Sequence, residues 1–286
     1  MTVNDYTIQF GKTNDLYVEY IKRSQPFSMT TDHYHSYYEI YYLLSGERLY
    51  FIRDRSYAVE QGDIVFISKQ ELHKTMHSGS PSLERAVIHF NDDLFGHSES
   101  DHASLLLSPF RQESHVLRLP KHEKPYIEQL MRRMLREMND KLPGYELIPR
   151  NTVTELLLIA ARSFQTLEPV QLHNNSPIHA KMFEIVHYIN HHYAEPLTLA
   201  RLSQQFYISP YYLSRIFKQT TGFAFSEYMI LTRVKEAQRL LRHTLMSISG
   251  IAAAVGFDSF SHFGKTFKRV TKQSPREYRK NHAKLE

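Results

Sequence analysis

TLARLSQQFYISPYYLSRIFKQTTG (Thr198–Gly222) and SISGIAAAVGFDSFSHFGKTFKRVTK (Ser247–Lys272) are one pattern written twice. IFK at Ile216–Lys218 aligns with TFK at Thr266–Lys268, an offset of 50 that persists to Thr221 with Thr271, Glu227 with Glu277 and Tyr228 with Tyr278. Upstream the offset is 49, pairing Thr198 with Ser247, Leu199 with Ile248, Leu202 with Ile251 and Phe206 with Val255. The difference places one extra residue in the second copy, near Asp258, where a turn tolerates it. A repeat this regular is a duplicated supersecondary unit.

Each copy reads as helix, tight turn, helix. Thr198 is placed to cap a short helix carrying Leu199, Leu202 and Phe206 at helical spacing. Ser209 caps again, and Pro210 occupies the first helical position, where a missing N–H costs nothing. The second helix is expected to bury Leu213, Ile216 and Phe217 and to end at Gly222 in a left-handed conformation. In the second copy Ser247 and Ser259 are the caps, Gly256 sits in the turn, and Phe260, Phe263 and Phe267 are the expected buried set. This is helix-turn-helix grammar, whose second helix fits a DNA major groove.

Charge separates this reading from a helical repeat with no charged partner. From Pro177 onward there are 16 Lys and Arg against 7 Asp and Glu, whereas the preceding residues carry 19 against 23. The basic surplus lies wholly in the repeat half, as a polyanionic partner requires.

The run SPYYLSRIFKQTTG (Ser209–Gly222), the spacing of Arg233, Ala237, Leu240 and Leu241, and IAAAVGFDSFSHFGKTFK followed by SPREYR (Ile251–Arg279) together resemble the DNA-binding domain of the AraC/XylS family of bacterial transcription regulators. Two positions depart from the family pattern: Lys272 stands where a helix-ending glycine is usual, and Gly250 where an acidic capping residue is common. The resemblance implies that Tyr211, Ser214 and Arg215 in the first recognition helix, and Ser261, His262 and Lys265 in the second, face bases. Of these, Arg215 is suited to pair in two places with guanine. Lys218, Lys268, Arg269 and Arg276 are expected on phosphates, where they set register.

The chain of 286 residues is long enough for two cores, and with no cysteine it holds neither disulfides nor thiol chemistry. MTVNDYTIQF at the start lacks a basic segment followed by an apolar run, and no apolar stretch is long enough to span a bilayer, so a soluble cytoplasmic protein with no membrane partner is expected. Short strands are expected over Tyr17–Lys22, Tyr37–Leu44, Arg48–Arg53, Asp63–Ile67, Arg85–Phe90 and Val116–Leu119, separated by turn signals at Ser45-Gly46, Arg53–Ser56 and Gly62-Asp63. Strands this short and frequent suggest a small barrel or jelly roll.

Within these strands His33, His35, Glu39, Gly46, Gly62 and His73 fall at spacings that resemble the two cupin motifs, and cupin domains are the usual partners of this DNA-binding half. Phe27, Ser68 and Gln70 replace residues of that pattern. His33, His35 and Glu39 share parity and would face one side of a strand. With His73 they could hold a divalent transition metal; the other reading is a metal-free pocket for an organic effector, formed by His33, His35, Glu39, Tyr41 and His73. Tyrosine is dense from Tyr34 to Tyr57, including Tyr37, Tyr38, Tyr41, Tyr42 and Tyr50. A ring with an apolar face and a hydroxyl suits a sugar or glycoside, while strand propensity explains the same density.

Two amphipathic helices follow. Ile127, Leu130, Met131, Met134, Leu135 and Met138 form the first apolar stripe; Pro143-Gly144 breaks it; Val153, Leu156, Leu157, Ala160, Ala161 and Phe164 form the second. The resemblance implies that they pair across a homodimer, against the alternative of packing on the barrel. Residues 165–177, with two prolines, read as a linker. Glu227–His243 would be a stiff helix of about 25 Å joining the repeats, able to present both recognition helices to major-groove segments about 34 Å apart.

The expected organisation is therefore an α+β multidomain chain: a cupin-type β-barrel or jelly roll (1–120), a helical dimerisation hairpin (121–165), a linker (166–177) and an all-α double helix-turn-helix domain (178–286, with units 198–222 and 247–279). The expected function is an effector-controlled transcription regulator and not an enzyme, with double-stranded DNA, a small-molecule effector, a second copy of the chain and RNA polymerase as partners and no required cofactor. A metal-dependent cupin enzyme or metal sensor fused to a DNA-binding module, and a constitutive architectural DNA binder, are the alternatives.

Overall fold

The computed structural model describes residues 5–12, 15–28, 34–79, 81–95, 101–170 and 177–283. The chain forms two compact units, Met1–His173 and Asn174–Glu286.

The first unit is a two-sheet sandwich backed by helices. Its strands are β1 (Tyr6–Gly11), β2 (Leu16–Arg23), β3 (Tyr38–Ser45), β4 (Glu47–Ile52), β5 (Arg55–Glu60), β6 (Ile64–Ile67), β7 (His73–His77), β8 (Leu83–Phe90) and β9 (Val116–Leu117). One sheet has the order β1-β2-β8-β3-β6-β9 and the other β5-β4-β7, with every pairing antiparallel. The strands β1, β5 and β7 were outside the expected set. β1 and β7 carry few aliphatic residues, and β5 begins inside the charged run read as a turn, because the actual loop is only Arg53 and Asp54, with Arg53 at φ 59°.

Period-two alternation gives the large sheet two buried faces. Ile40, Tyr42 and Leu44 of β3, Ile64 and Phe66 of β6, and Ala86, Ile88 and Phe90 of β8 join a core cluster with the helices. The intervening residues Tyr41, Leu43, Val65, Ile67 and Val87 face the interior of the sandwich and pack with Tyr50, Ile52, Tyr57 and Val59 of the small sheet.

Behind the sheet lie α1 (Asp101–Leu106), α2 (Lys124–Asp140) and α3 (Leu147–Ser163). The expected apolar stripes of α2 and α3 are buried, and both insert into the cluster that covers the large sheet. Those residues are thus spent on sandwich packing. Asp63 secures the start of α2: fully buried, it accepts from Arg118 Nε at 3.0 Å and from the Glu60 N–H at 2.8 Å, while Lys124 Nζ lies 3.7 Å away.

The second unit contains α4 (Pro177–His192), α5 (Leu199–Phe206), α6 (Pro210–Thr221), α7 (Phe225–His243), α8 (Ile248–Ala254), α9 (Phe260–Thr271) and α10 (Pro275–His282). The duplication is visible bond by bond. Ile208 N–H donates to Ser203 O at 3.0 Å, and Phe257 N–H to Ala252 O at 3.0 Å. Thr221 Oγ1 donates to Phe217 O at 2.8 Å, and Thr271 Oγ1 to Phe267 O at 2.9 Å. Phe217 meets Tyr228 with ring centroids 5.6 Å apart, and Phe267 meets Tyr278 at 5.5 Å. Thr198, Ser209, Ser247 and Ser259 each accept a backbone N–H at their helix start.

The turns differ in one respect. Tyr207 and Gly256 hold equivalent left-handed positions at φ 54° and 85°. A Cβ on Gly256 would lie 2.5 Å from Ala194 O, so glycine is required there, whereas Tyr207 is 92% exposed. Phe260 corrects an expectation: it is 58% exposed, and the face of α9 that meets the core is formed by Phe263, Thr266 and Phe267. As the first helical residue after its cap, Phe260 lies at the end of the helix, beyond the core that the later residues reach.

The helix joining the repeats begins at Phe225 and spans 19 residues, about 28 Å. Tyr228 of α7 packs on Phe217 of the first repeat, and Val234, Ala237 and Leu241 join the core of the second. Arg233 ties α7 to the α4–α5 connection, its Nε donating to Tyr193 O and its Nη2 to Glu195 O, each at 2.8 Å.

Candidate functional sites

In the second unit, α6 and α9 are each anchored by an apolar face and offer the opposite face to solvent. Leu213 and Phe217 are fully buried, and Tyr211, Ser214, Arg215 and Lys218 on the other side are exposed. With Gln219 these four line a shallow depression. Gln219 was not singled out from the sequence; its signal is the four-residue step from Arg215 along the same face. The Arg215 guanidinium lies 5.4 Å from the Tyr212 ring centroid, within the range of a cation–π contact.

On α9, Ser261, His262, Lys265, Lys268 and Arg269 are exposed, as is Arg276 on α10. His262 N–H is held by the Ser259 cap at 3.3 Å, and its ring lies 5.5 Å from Phe257. All ten residues expected to face DNA are therefore solvent-accessible and sit on α6, α9 or the start of α10. The N-terminal turns of α6 and α9 add the positive ends of their helix dipoles.

The first unit gathers histidines around one buried carboxylate. His35 Nε2 lies 3.1 Å and His89 Nε2 2.9 Å from Glu39 Oε2, with His73 Nε2 at 3.9 Å. The other carboxylate oxygen accepts from Tyr50 Oη at 3.1 Å. Glu39 and His73 are deeply buried, and His35 and His89 nearly so. Burial pushes the Glu39 carboxyl up, but hydrogen bonds from His35 and His89 and the nearby His73 outweigh it and hold it well below the usual carboxylate range. Tyr37 stacks on His35 at 4.0 Å between centroids and lies 4.4 Å from His89; its hydroxyl is pushed up to about 12 by burial and by Glu39.

Of the expected set, His35, Glu39 and His73 come together. Tyr41 stands nearby in the interior, 5.2 Å from the Tyr50 ring, and His33 lies outside the described residues. His89 was missed because it belongs to no motif; its signal is the alternation that turns Val87 inward and therefore His89 as well. Gln70 replaces a motif glycine yet adopts φ 61°, and its N–H donates to His35 O at 2.7 Å, fixing the loop that carries His35.

The interior also holds unsatisfied polar atoms. Tyr57, Tyr50 and Thr75 form a row across β5, β4 and β7. The Tyr41 and Tyr57 hydroxyls, Thr75 Oγ1 and Arg48 Nη2 are buried with no hydrogen bond of ordinary geometry among the described residues. Buried polar groups are normally partnered, so these atoms stand out within the interior.

Comparison with known proteins assigns both units. Residues 15–157 match the AraC-like ligand binding domain and residues 202–281 a helix-turn-helix domain. The HTH-type transcriptional activator RhaS of Escherichia fergusonii is 26% identical over 251 residues, covering 87% of each chain. The uncharacterized HTH-type transcriptional regulator YijO of Escherichia coli K12 is 38% identical over 102 residues, 35% of this chain and 36% of that protein. Among solved structures, the DNA-binding domain of AdpA in complex with a target DNA is 32% identical, with a TM-score of 0.34, over 34% of this chain and 88% of that one.

Proposed function

As the chain belongs to the AraC family of DNA-binding transcription regulators, with that family's ligand-binding and helix-turn-helix domains, we propose that it is switched by a sugar or glycoside held inside the sandwich and that it reads DNA with α6 and α9. The observation that carries the effector class is the buried band of the Tyr41 and Tyr57 hydroxyls, Thr75 Oγ1 and Arg48 Nη2, which make no hydrogen bond of ordinary geometry among the described residues, beside aromatic faces. A polyhydroxylated ligand offers both the hydrogen bonds and the apolar ring faces such a wall requires. His35, Glu39 and His73 are the further effector contacts in this reading.

Tyr211, Ser214, Arg215, Ser261, His262 and Lys265 contact base edges, and Lys218, Lys268, Arg269 and Arg276 contact phosphates. Support comes from their exposure on helices whose opposite faces are anchored. The chain acts in the cytoplasm as a homodimer, with the outer faces of α2 and α3 pairing, where Tyr126 and Leu147 are exposed, and it engages RNA polymerase at its promoters. Among the described residues no helix is long and apolar enough to cross a membrane.

The test is footprinting of the purified chain on its own upstream DNA, with and without a panel of monosaccharides and glycosides, alongside thermal shift with the same panel. The reading expects a ligand that raises the melting temperature and changes operator affinity or spacing. If saturating concentrations of every member leave melting, footprint and transcription unchanged, the sugar reading fails.

A further inference from the structure

The histidines around Glu39 are oriented by backbone carbonyls. His35 Nδ1 lies 2.9 Å from Tyr37 O, and His73 Nδ1 lies 2.8 Å from Glu71 O. A carbonyl only accepts, so both Nδ1 atoms carry the proton. Nε2 is then the atom that each ring turns toward Glu39 Oε2, at 3.1 Å in His35 and 3.9 Å in His73. A backbone carbonyl that fixes Nδ1–H and presents Nε2 is the usual outer support of a metal-bound histidine.

His89 supplies the third nitrogen. Glu39 and His89 are directly opposed in the antiparallel register of β3 and β8, so the sheet itself sets their spacing. The ligand atoms of His35, Glu39 and His89 all lie within 4.8 Å of one another, and all three residues are buried. Donors on one cation, each about 2.0–2.2 Å from it, are separated by about 3–3.5 Å. Of the two Nε2–Oε2 distances, 3.1 Å lies at the short end of that range and 2.9 Å just below it.

We propose that His35 Nε2, Glu39 Oε2 and His89 Nε2 form a site for a divalent late transition metal, with His73 Nε2, 3.9 Å from Glu39 Oε2, beside it. Imidazole with one carboxylate and no thiolate suits zinc, cobalt or nickel over calcium or magnesium. Binding needs an unprotonated Nε2 on each imidazole and an ionised carboxylate. The site differs from the motif-derived set in taking His89 from β8. It goes beyond the sugar and DNA readings and depends on neither.

The test loads chelator-treated full-length chain with zinc or cobalt chloride and measures bound metal by elemental analysis, together with the melting temperature. One metal per chain is expected, with a raised melting temperature. Affinity should fall at least about tenfold in His89→Gln and in Glu39→Gln, and should be unchanged in a His187→Gln, His191→Gln control. That control removes the paired surface histidines of α4, whose rings lie 4.2 Å apart. X-ray absorption of the zinc-loaded wild-type chain reads the ligand set without any variant, and a shell of imidazoles with a carboxylate is expected. Failure to bind either metal, binding abolished only by the α4 control, or a shell lacking the carboxylate each overturns the site. Operator footprinting of the metal-free chain is a separate readout and keeps this outcome distinct from failure of the regulator reading.

Discussion

His89 Nε2 lies 2.9 Å from Glu39 Oε2 although the two residues are 50 apart in the chain, because antiparallel register places them opposite each other on β3 and β8. The bond couples a hydrogen-bonded buried carboxylate to the pairing of two central strands. Removing its donor while filling the volume, as in His89→Leu, should cost about 1.5–3 kcal/mol, the range for a hydrogen bond to a charged group. Chelator-treated protein unfolded in urea measures this as a lowered midpoint at unchanged slope. An unchanged midpoint would show that the contact contributes nothing.

Arg118 and Asp63 form a second buried tie, with Arg118 Nη2 2.7 Å from the Asp63 carboxylate. Arg118→Ala leaves a fully buried carboxylate with only its backbone donor and the more distant Lys124. A loss of about 1.5–3 kcal/mol is expected. Asp63→Asn in the Arg118→Ala background should recover part of it, since the uncompensated charge is removed.

Lys272 closes α9 at φ 63° in the position that Gly222 holds at φ 79° on α6. A side chain in the left-handed region carries a cost that glycine avoids. Lys272→Gly should therefore stabilise the second unit by about 1 kcal/mol, and Gly222→Lys should destabilise it by a similar amount. Thermal melts of both variants decide this by the opposite signs of their shifts.

In the proposed reading of DNA, base and phosphate contacts are expected to separate by specificity. Arg215→Ala should weaken binding to the operator by about 1–3 kcal/mol while leaving random-sequence affinity much less changed, and Lys268→Ala should weaken both alike and lower the salt slope. Equal losses on operator and random DNA for Arg215→Ala would remove it from the base-reading set.

His115 gives the first unit a pH signature. Burial pushes its pKa below the ordinary 6.5; the Glu71 carboxylate and the Phe66 carbonyl oppose the shift, and Arg53 and Arg55 add to it. The folded chain thus binds this proton less readily than the unfolded chain. The contribution is fully present above about pH 6.5 and is lost as pH falls toward the lower folded value. Melting temperatures between pH 8 and 5 should fall less steeply for His115→Gln than for wild type, and parallel profiles would exclude this residue as a source.

The sequence by itself determined the double helix-turn-helix. Its caps, left-handed turn and apolar spacing are local signals, each completed within a few residues, and the duplication states them twice. The α2 and α3 stripes were legible for the same reason, since one helix face is written at spacings of three and four. Phe260 escaped because helical period assigns a face and does not say how far the neighbouring core extends. In the sandwich, short strands could be listed, yet β1, β5 and β7 lacked a strong aliphatic pattern, and which strand lies beside which is a long-range fact. His89 shows the limit most clearly. Nothing near it in the chain marks it as a partner of Glu39; only the register of β3 against β8 brings the two together, because strand pairing joins residues without regard to their separation in sequence.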